Sequence, residues 1–445
     1  MKTGYSKLCI TPPTGTVMCG YYEKRRSKGV LDDLYATAVS FDDGNKKALI
    51  LAVDVCLLTF KQSLRLKESI SAATGIDATS IFINCSHTHT GPTIEEDLDG
   101  ELTLAEYDTV FFALLEKVAV QSFADMRESV FSIGTGSAEG ISFPRRYRMR
   151  NGNVQTNPGV ENPNILHPLG TANSTVKFLK IQRENADTLV LVNFGTHADS
   201  VGGEYISGDW PNFVCETVEA VFGDTKCIFL TGTQGDVNHI NVSPTAGERK
   251  GLEYESFDGV PRGYAHAKYM GRKVAAAVIA GLDKTEPISC DTIFYQEQTV
   301  TIPANKENHR LDEAKEIVKI HAEGRDSELP YEKMELTTVV AEANRICELA
   351  NGPDEFPFTL GVLKLGDFVM AALPGECFVE IGRRIEATYE GKHMMVCCLT
   401  NGGDSYFPTS SAYDEGGYEA RTSILKKGGD DIVVAGMKSL MSALK

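Results

Sequence analysis

Ser80-Ile81-Phe82-Ile83-Asn84-Cys85-Ser86-His87-Thr88-His89-Thr90-Gly91-Pro92 changes character halfway along. Its first half, residues 80–85, is a short apolar run with the length and composition of a buried strand. Its second half is polar and ends on Gly91-Pro92, a turn signal. Residues two apart in extended chain point to the same side, so His87 and His89 can face one cleft. Neutral imidazole is a good zinc ligand and a good proton carrier. The pair alone leaves two readings open: a metal site, or two histidines satisfied by ordinary hydrogen bonds.

The surrounding sequence alternates in the same way. Residues 47–55 read as a buried strand and 60–73 as a helix closed by Gly75. Residues 104–123 are helical, and 129–134 and 176–182 are strand-like. A strong apolar strand, 188–196, ends on His197, followed by a helix over 209–222. The strand 227–231 ends in Gly232-Thr233-Gln234-Gly235-Asp236. A helix over 264–282, a strand over 292–302 and helices over 311–321 and 331–349 come next. A hairpin over 358–372 turns at Gly366-Asp367 and runs into Pro374-Gly375-Glu376. A helix (378–389), a strand (393–399) and a closing helix (430–444) complete the chain. The pattern predicts an α/β (mixed α+β) fold, with central β-sheets flanked by helices in one domain over residues 1–445. No internal repeat, long linker or low-complexity segment is visible. His87, His197, Asp236 and Glu376 each stand just beyond the carboxyl end of an apolar strand, where open α/β sheets bind ligands.

Bulk properties remove several classes of function. The formal net charge is −17 over 445 residues, which disfavours nucleic acid and anionic membranes as partners. The apolar runs are too short to span a bilayer. Residues 1–7 contain no apolar signal region, so the expected compartment is the cytoplasm. Eleven cysteines occur without any C-x-x-C pair. They are expected to be reduced, with Cys56, Cys85, Cys227 and Cys397 buried in strand-like runs. No serine-hydrolase elbow, Walker lysine loop, dinucleotide glycine motif or H-E-x-x-H is present. The expected partner is a small-molecule substrate, with self-association into a homo-oligomer left open.

Other candidates also admit two readings. Asp209, in Ser207-Gly208-Asp209, is a proton relay or a helix cap. Glu376 is a buried carboxylate neutralised by a cation, or an exposed one at a helix start. Arg145-Arg146-Tyr147-Arg148 binds an anionic or carbonyl group, or forms a salt-bridged loop.

Taken in order, Ser86-His87-Thr88-His89-Thr90-Gly91-Pro92, Asn193-Phe194-Gly195-Thr196-His197, Ser207-Gly208-Asp209, Gly235-Asp236-Val237 and Pro374-Gly375-Glu376 resemble the catalytic domain of the neutral ceramidases. Ile10-Thr11-Pro12-Pro13 and Gly20-Tyr21 fit the same pattern. Tyr406 and Tyr418, the latter in Gly417-Tyr418-Glu419, match a pair of tyrosines in that family. The resemblance implies one zinc ion per chain, held by His87, His197, Glu376 and Tyr406. It makes His89, Tyr418 and one arginine of Arg145–Arg148 candidates for holding the scissile carbonyl, with Arg146 taken as the catalytic one and Arg145 and Arg148 at the substrate. Beside it, His89 or Asp209 is expected to relay the proton, and Asp236 and Asn238 to line the substrate. Zinc-activated water then attacks an amide carbonyl whose oxyanion meets donors already in place.

Departures from the family pattern shape the expected substrate. The family's further β-sandwich domain and its signal are not expected here, and Asn238-His239 follow Gly235-Asp236-Val237 where the family has serine and proline. These differences point to a smaller, more soluble compound than ceramide. The expected function is a zinc-dependent hydrolase of an amide (N-acyl) bond. A zinc-dependent esterase or lactonase, or a non-catalytic binding protein on the same fold, are the alternatives.

Overall fold

A computed structural model describes all residues except 23, 95–101, 247–254, 258–259, 404 and 445, and only the backbone of 102–106, 255–257 and 260–262. Strands Lys2–Cys9, Tyr35–Asp42 and Lys47–Val53 pair antiparallel in that order. Helix Phe60–Thr74 then carries the chain across to Ile81–Cys85, which lies parallel to Lys47–Val53. This helix begins at a capping box, in which the Thr59 and Gln62 side chains accept each other's backbone N–H. It ends at Gly75, whose φ of 74° suits a residue without Cβ. Helix Leu102–Ala124 returns over the first two strands.

The same order occurs twice more. Arg127–Ser137, Thr175–Arg183 and Thr188–Phe194 are antiparallel, helix Asp209–Val221 crosses, Thr225–Thr231 is parallel, and helix Tyr264–Gly281 returns. Ile293–Pro303, Glu355–Leu365 and Phe368–Ala372 are antiparallel, helix Val379–Glu386 crosses, His393–Cys397 is parallel, and helix Gly429–Ser442 returns. The mixed α/β architecture agrees with the sequence reading. The expected absence of a repeat does not: the chain holds three copies of one strand topology. Sequence hides the repeat because inserts of different length (residues 10–34, 138–174 and 304–354) separate the first two strands of each copy.

The first two copies join through Lys2↔Glu128 and Thr3↔Arg127 into one nine-stranded sheet, and the third forms a four-stranded sheet. Their inner faces share one apolar core: Ile50, Phe82, Leu191, Ile228, Leu363 and Met370 lie in a single cluster. The outer faces pack under helices, with Leu49, Leu51 and Val53 in one cluster and Val190, Val192 and Phe194 in another. Burial on both faces explains why these strands read as continuous apolar runs.

The two edge strands of the large sheet meet at their carboxyl ends. Asn84 makes the junction, its amide donating to the Cys398 carbonyl at 2.7 Å and the Thr400 hydroxyl at 3.0 Å. Its carbonyl accepts the Thr231 N–H at 2.9 Å. The strand ends of all three copies are thereby drawn to one place. Among the described residues, no helix is long and apolar enough to cross a membrane.

Candidate metal centre

His87 follows Ile81–Cys85 with φ 67°, a left-handed conformation that side chains other than Asn or Asp rarely adopt. The turn points its ring into the junction of the three copies. Its Nδ1 lies 2.9 Å from the Cys56 carbonyl oxygen. His197 follows Thr188–Phe194, and its Nδ1 lies 3.0 Å from the Gln234 carbonyl and 3.1 Å from that of Val237. A carbonyl accepts only, so each Nδ1 carries a proton, and each ring when neutral has its lone pair on Nε2. Both Nε2 atoms face Glu376 Oε2, at 3.1 Å from His87 and 2.9 Å from His197. Strand Glu376–Cys377 runs parallel to Tyr406–Phe407, which sets the Tyr406 hydroxyl 3.4 Å from His197 Nε2.

Donor atoms of His87, His197 and Glu376 all lie within 4.8 Å of one another, and all three residues are buried. Two imidazole lone pairs facing a carboxylate repel unless a cation or a proton lies between them. Two imidazoles, a carboxylate and a phenol form a donor set suited to a zinc-like ion. Burial would raise the Glu376 pKa, but where a proton on Nε2 stands in for a cation, the charge of His87 and hydrogen bonds from His197 and His87 hold it well below the usual range. Burial, then Glu376, pushes the Tyr406 hydroxyl well above its usual value, against the pull of neighbouring Arg145. Cys56 Sγ, 3.6 Å from His87 Nδ1, forms a second close group with His87 and His89.

Further side chains border the centre. His89 Nε2 lies 3.2 Å from His87 Nε2. Arg145 places NH1 3.1 Å from His197 Nε2 and donates through NH2 to the Gly235 carbonyl at 2.8 Å. Its guanidinium also lies over the Tyr406 ring, 5.3 Å from the centroid. The Tyr418 ring is 5.7 Å from that of Tyr406, and its hydroxyl is 2.9 Å from the Tyr22 hydroxyl. His87, His89, His197, Glu376, Tyr406, Tyr418 and Arg145 are thus gathered together.

The remaining candidates lead elsewhere. Asp209, with φ 56°, accepts the Ser200 and Val201 N–H groups at 2.8 Å each, so its carboxylate shapes the loop after His197. Gly208, not Asp209, holds the helix-cap position. Arg146 turns away to Glu415 at 3.0 Å and the Gly416 carbonyl at 2.8 Å. Arg148 donates to the Gly152 carbonyl at 2.7 Å within its own hairpin. Asp236 accepts the Val379 N–H at 2.8 Å, where it satisfies the start of a helix, and burial pushes its pKa up to about 6. Asn238 bonds Asn157 at 2.9 Å. The arginine at the centre is therefore Arg145, one position before the one assigned to catalysis.

Sequence reasoning missed Glu419, Gln234 and Tyr22. Glu419 is fully buried and pairs with Arg145 Nε at 2.6 Å, while its other oxygen accepts the Thr156 hydroxyl at 2.9 Å. Gln234 Nε2 reaches Glu376 Oε2 at 3.5 Å. Two signals were present: Glu419 adjoins Tyr418, and a buried arginine calls for a carboxylate.

No protein-family model matches the chain, and no curated protein matches it. Solved structures do match. The centre and its strand-end setting define an α/β fold with a buried histidine–carboxylate cluster. More particularly, the fold is that of neutral ceramidase. The crystal structure of neutral ceramidase from Pseudomonas aeruginosa superposes with a TM-score of 0.72 at 15% identity, over 100% of this chain and 74% of that one. A ceramidase complexed with C2 gives 0.71 at 15% identity, over 99% and 74%. The likeness is one of fold.

Proposed function

We propose that this chain is a zinc-dependent hydrolase that cleaves the amide bond of a small, soluble N-acyl compound. The observation that supports this most is the meeting of His87 Nε2, His197 Nε2 and Glu376 Oε2 at the strand ends of a neutral-ceramidase fold. His87, His197, Glu376 and Tyr406 would hold the ion. When bound, zinc acts as a Lewis acid and makes water a nucleophile near neutral pH.

The protein's own groups account for the rest. Amide hydrolysis places negative charge on the carbonyl oxygen, and donors fixed beforehand stabilise it without reorganising. Arg145 is fixed by Glu419 and Gly235, so it is a permanent cation held beside the ligand set. The Tyr418 hydroxyl is a second donor at the same rim. His89 stands beside His87, in position to carry a proton to the leaving amine. No cysteine among the described residues forms a disulfide, and eight are buried, which supports a reducing compartment such as the cytoplasm.

A substrate panel tests the proposal. Short N-acyl amines and N-acyl amino acids, ceramide, and matched esters and lactones are assayed before chelation, after it and after zinc is restored. Amide turnover that disappears with chelator and returns with zinc is the expected result. Turnover of esters or lactones alone moves the enzyme to another class. Turnover of nothing on the panel favours a binding protein.

A further inference from the structure

Three histidines meet at the centre, and their Nδ1 atoms are treated differently. His87 and His197 set theirs against backbone carbonyls. His89 Nδ1 is buried, makes no hydrogen bond among the described residues, and faces Asp199 Oδ1 at 3.6 Å. We infer that Asp199, clamped by Tyr21, is the positioning residue for His89, an assignment that rests on reading the site as a hydrolase.

The clamp is built from both sides. The Tyr21 hydroxyl donates to Asp199 Oδ1 at 2.6 Å, and its ring meets the His89 ring edge-on with centroids 5.7 Å apart. The Arg25 guanidinium covers the Tyr21 ring at 3.8 Å, and its NH2 donates to the His89 and Cys19 carbonyls at 2.6 Å each. The His89 N–H donates to the Ala198 carbonyl at 3.1 Å, so the segments bearing the imidazole and the carboxylate are tied through their backbones. Gly20 passes so close that an added Cβ would sit 2.7 Å from His89 Cβ. Backbone, ring and carboxylate therefore restrict His89 to one orientation, with Nε2 toward His87.

The choice of partner separates the roles. A carbonyl fixes a neutral imidazole with its lone pair on Nε2, as a metal ligand requires. A carboxylate beside Nδ1 favours the same tautomer and orients the ring of a residue outside the proposed ligand set. Of the three rings, only the one outside the proposed ligand set faces a carboxylate through Nδ1. At 3.6 Å the pair is longer than a hydrogen bond. Catalytic hydrogen bonds often shorten only when substrate binds.

Asp199→Asn and Tyr21→Phe test the inference. For Asp199→Asn, kcat on the best N-acyl substrate is expected to fall about 100-fold, with KM within about threefold and zinc content unchanged. Tyr21→Phe should move kcat in the same direction by a smaller factor. Nitrogen-15 NMR of histidine-labelled, zinc-loaded protein reads the tautomer without turnover: His89 should carry its proton on Nδ1 in the wild type and lose that preference in Asp199→Asn. Three results would overturn the inference: kcat within twofold of wild type in Asp199→Asn, loss of zinc in that variant, or an Nε2-protonated His89 in the wild type. If no N-acyl substrate is turned over, the hydrolase reading fails on its own, and the tautomer still decides the Asp199 assignment.

Discussion

Glu376→Gln should yield a folded protein that no longer retains zinc and no longer turns over substrate. Glutamine keeps the shape of the side chain, and its amide can donate to the lone pairs that His87 and His197 now direct at Glu376 Oε2. The three groups then satisfy one another without a cation. The loss falls on charge: the carboxylate is the acidic member of a set whose histidines both direct Nδ1 at carbonyl oxygens and Nε2 at Glu376. Forfeiting about 4 kcal/mol of transition-state stabilisation corresponds to roughly a 1000-fold fall in kcat/KM. Elemental analysis and circular dichroism together check the expectation, with metal lost and the spectrum unchanged. A Glu376→Gln variant that kept stoichiometric metal would remove Glu376 from the ligand set.

Asn84→Ala should loosen the junction of the three strand ends and lower the stability of the fold. Asn84 is buried and serves three partners at once: the Cys398 carbonyl, the Thr400 hydroxyl and the Thr231 N–H. Alanine leaves the Thr231 N–H with no partner in a dry interior and weakens the attachment of residues 398–401. An orphaned buried group costs about 1–3 kcal/mol, and the Thr231 N–H is one such group, whereas the Cys398 carbonyl still accepts from the Thr400 hydroxyl. The segment at risk already includes Leu399 at φ 50° and Asn401 at φ 63°, conformations that depend on surrounding contacts. Urea unfolding should show a lower midpoint with an unchanged slope, and zinc affinity should fall because His87, His197 and Glu376 hang from the strands that Asn84 joins. A stability change under about 0.5 kcal/mol would show that the junction holds without it.

Much of this was legible in the sequence, for identifiable reasons. Lys47–Val53 and Thr188–Phe194 are buried on both faces, so their apolar runs stand out without any alternation. Helix Phe60–Thr74 carries its stop signal in Gly75. His87, His197 and Glu376 were found because strand ends in an α/β fold point at shared ligands, and the geometry brings those three together. Tyr406 entered only through the family resemblance, since nothing in its spacing marks it.

Other features depend on contacts that no local pattern encodes. Arg145 and Arg146 are neighbours whose side chains diverge, one to His197 and the other to Glu415. Which of them reaches the centre depends on how the short strand Arg146–Met149 pairs with Val154–Thr156. Asp209 looked like a cap or an acid because its partners, Ser200 and Val201, are fixed only once the loop after His197 folds back. Tyr21 meets Asp199 across 178 residues. The threefold topology is carried by pairing order, which sequence periodicity does not record.

We propose one zinc ion per chain, held by His87, His197, Glu376 and Tyr406 and used to hydrolyse an amide. Metal content by elemental analysis tests it most directly, on wild-type protein purified without chelator and again after zinc is supplied and excess removed. The account predicts about one zinc per chain in the supplied sample, and its loss in His87→Ala. Absence of any stoichiometric transition metal from both wild-type samples would contradict it.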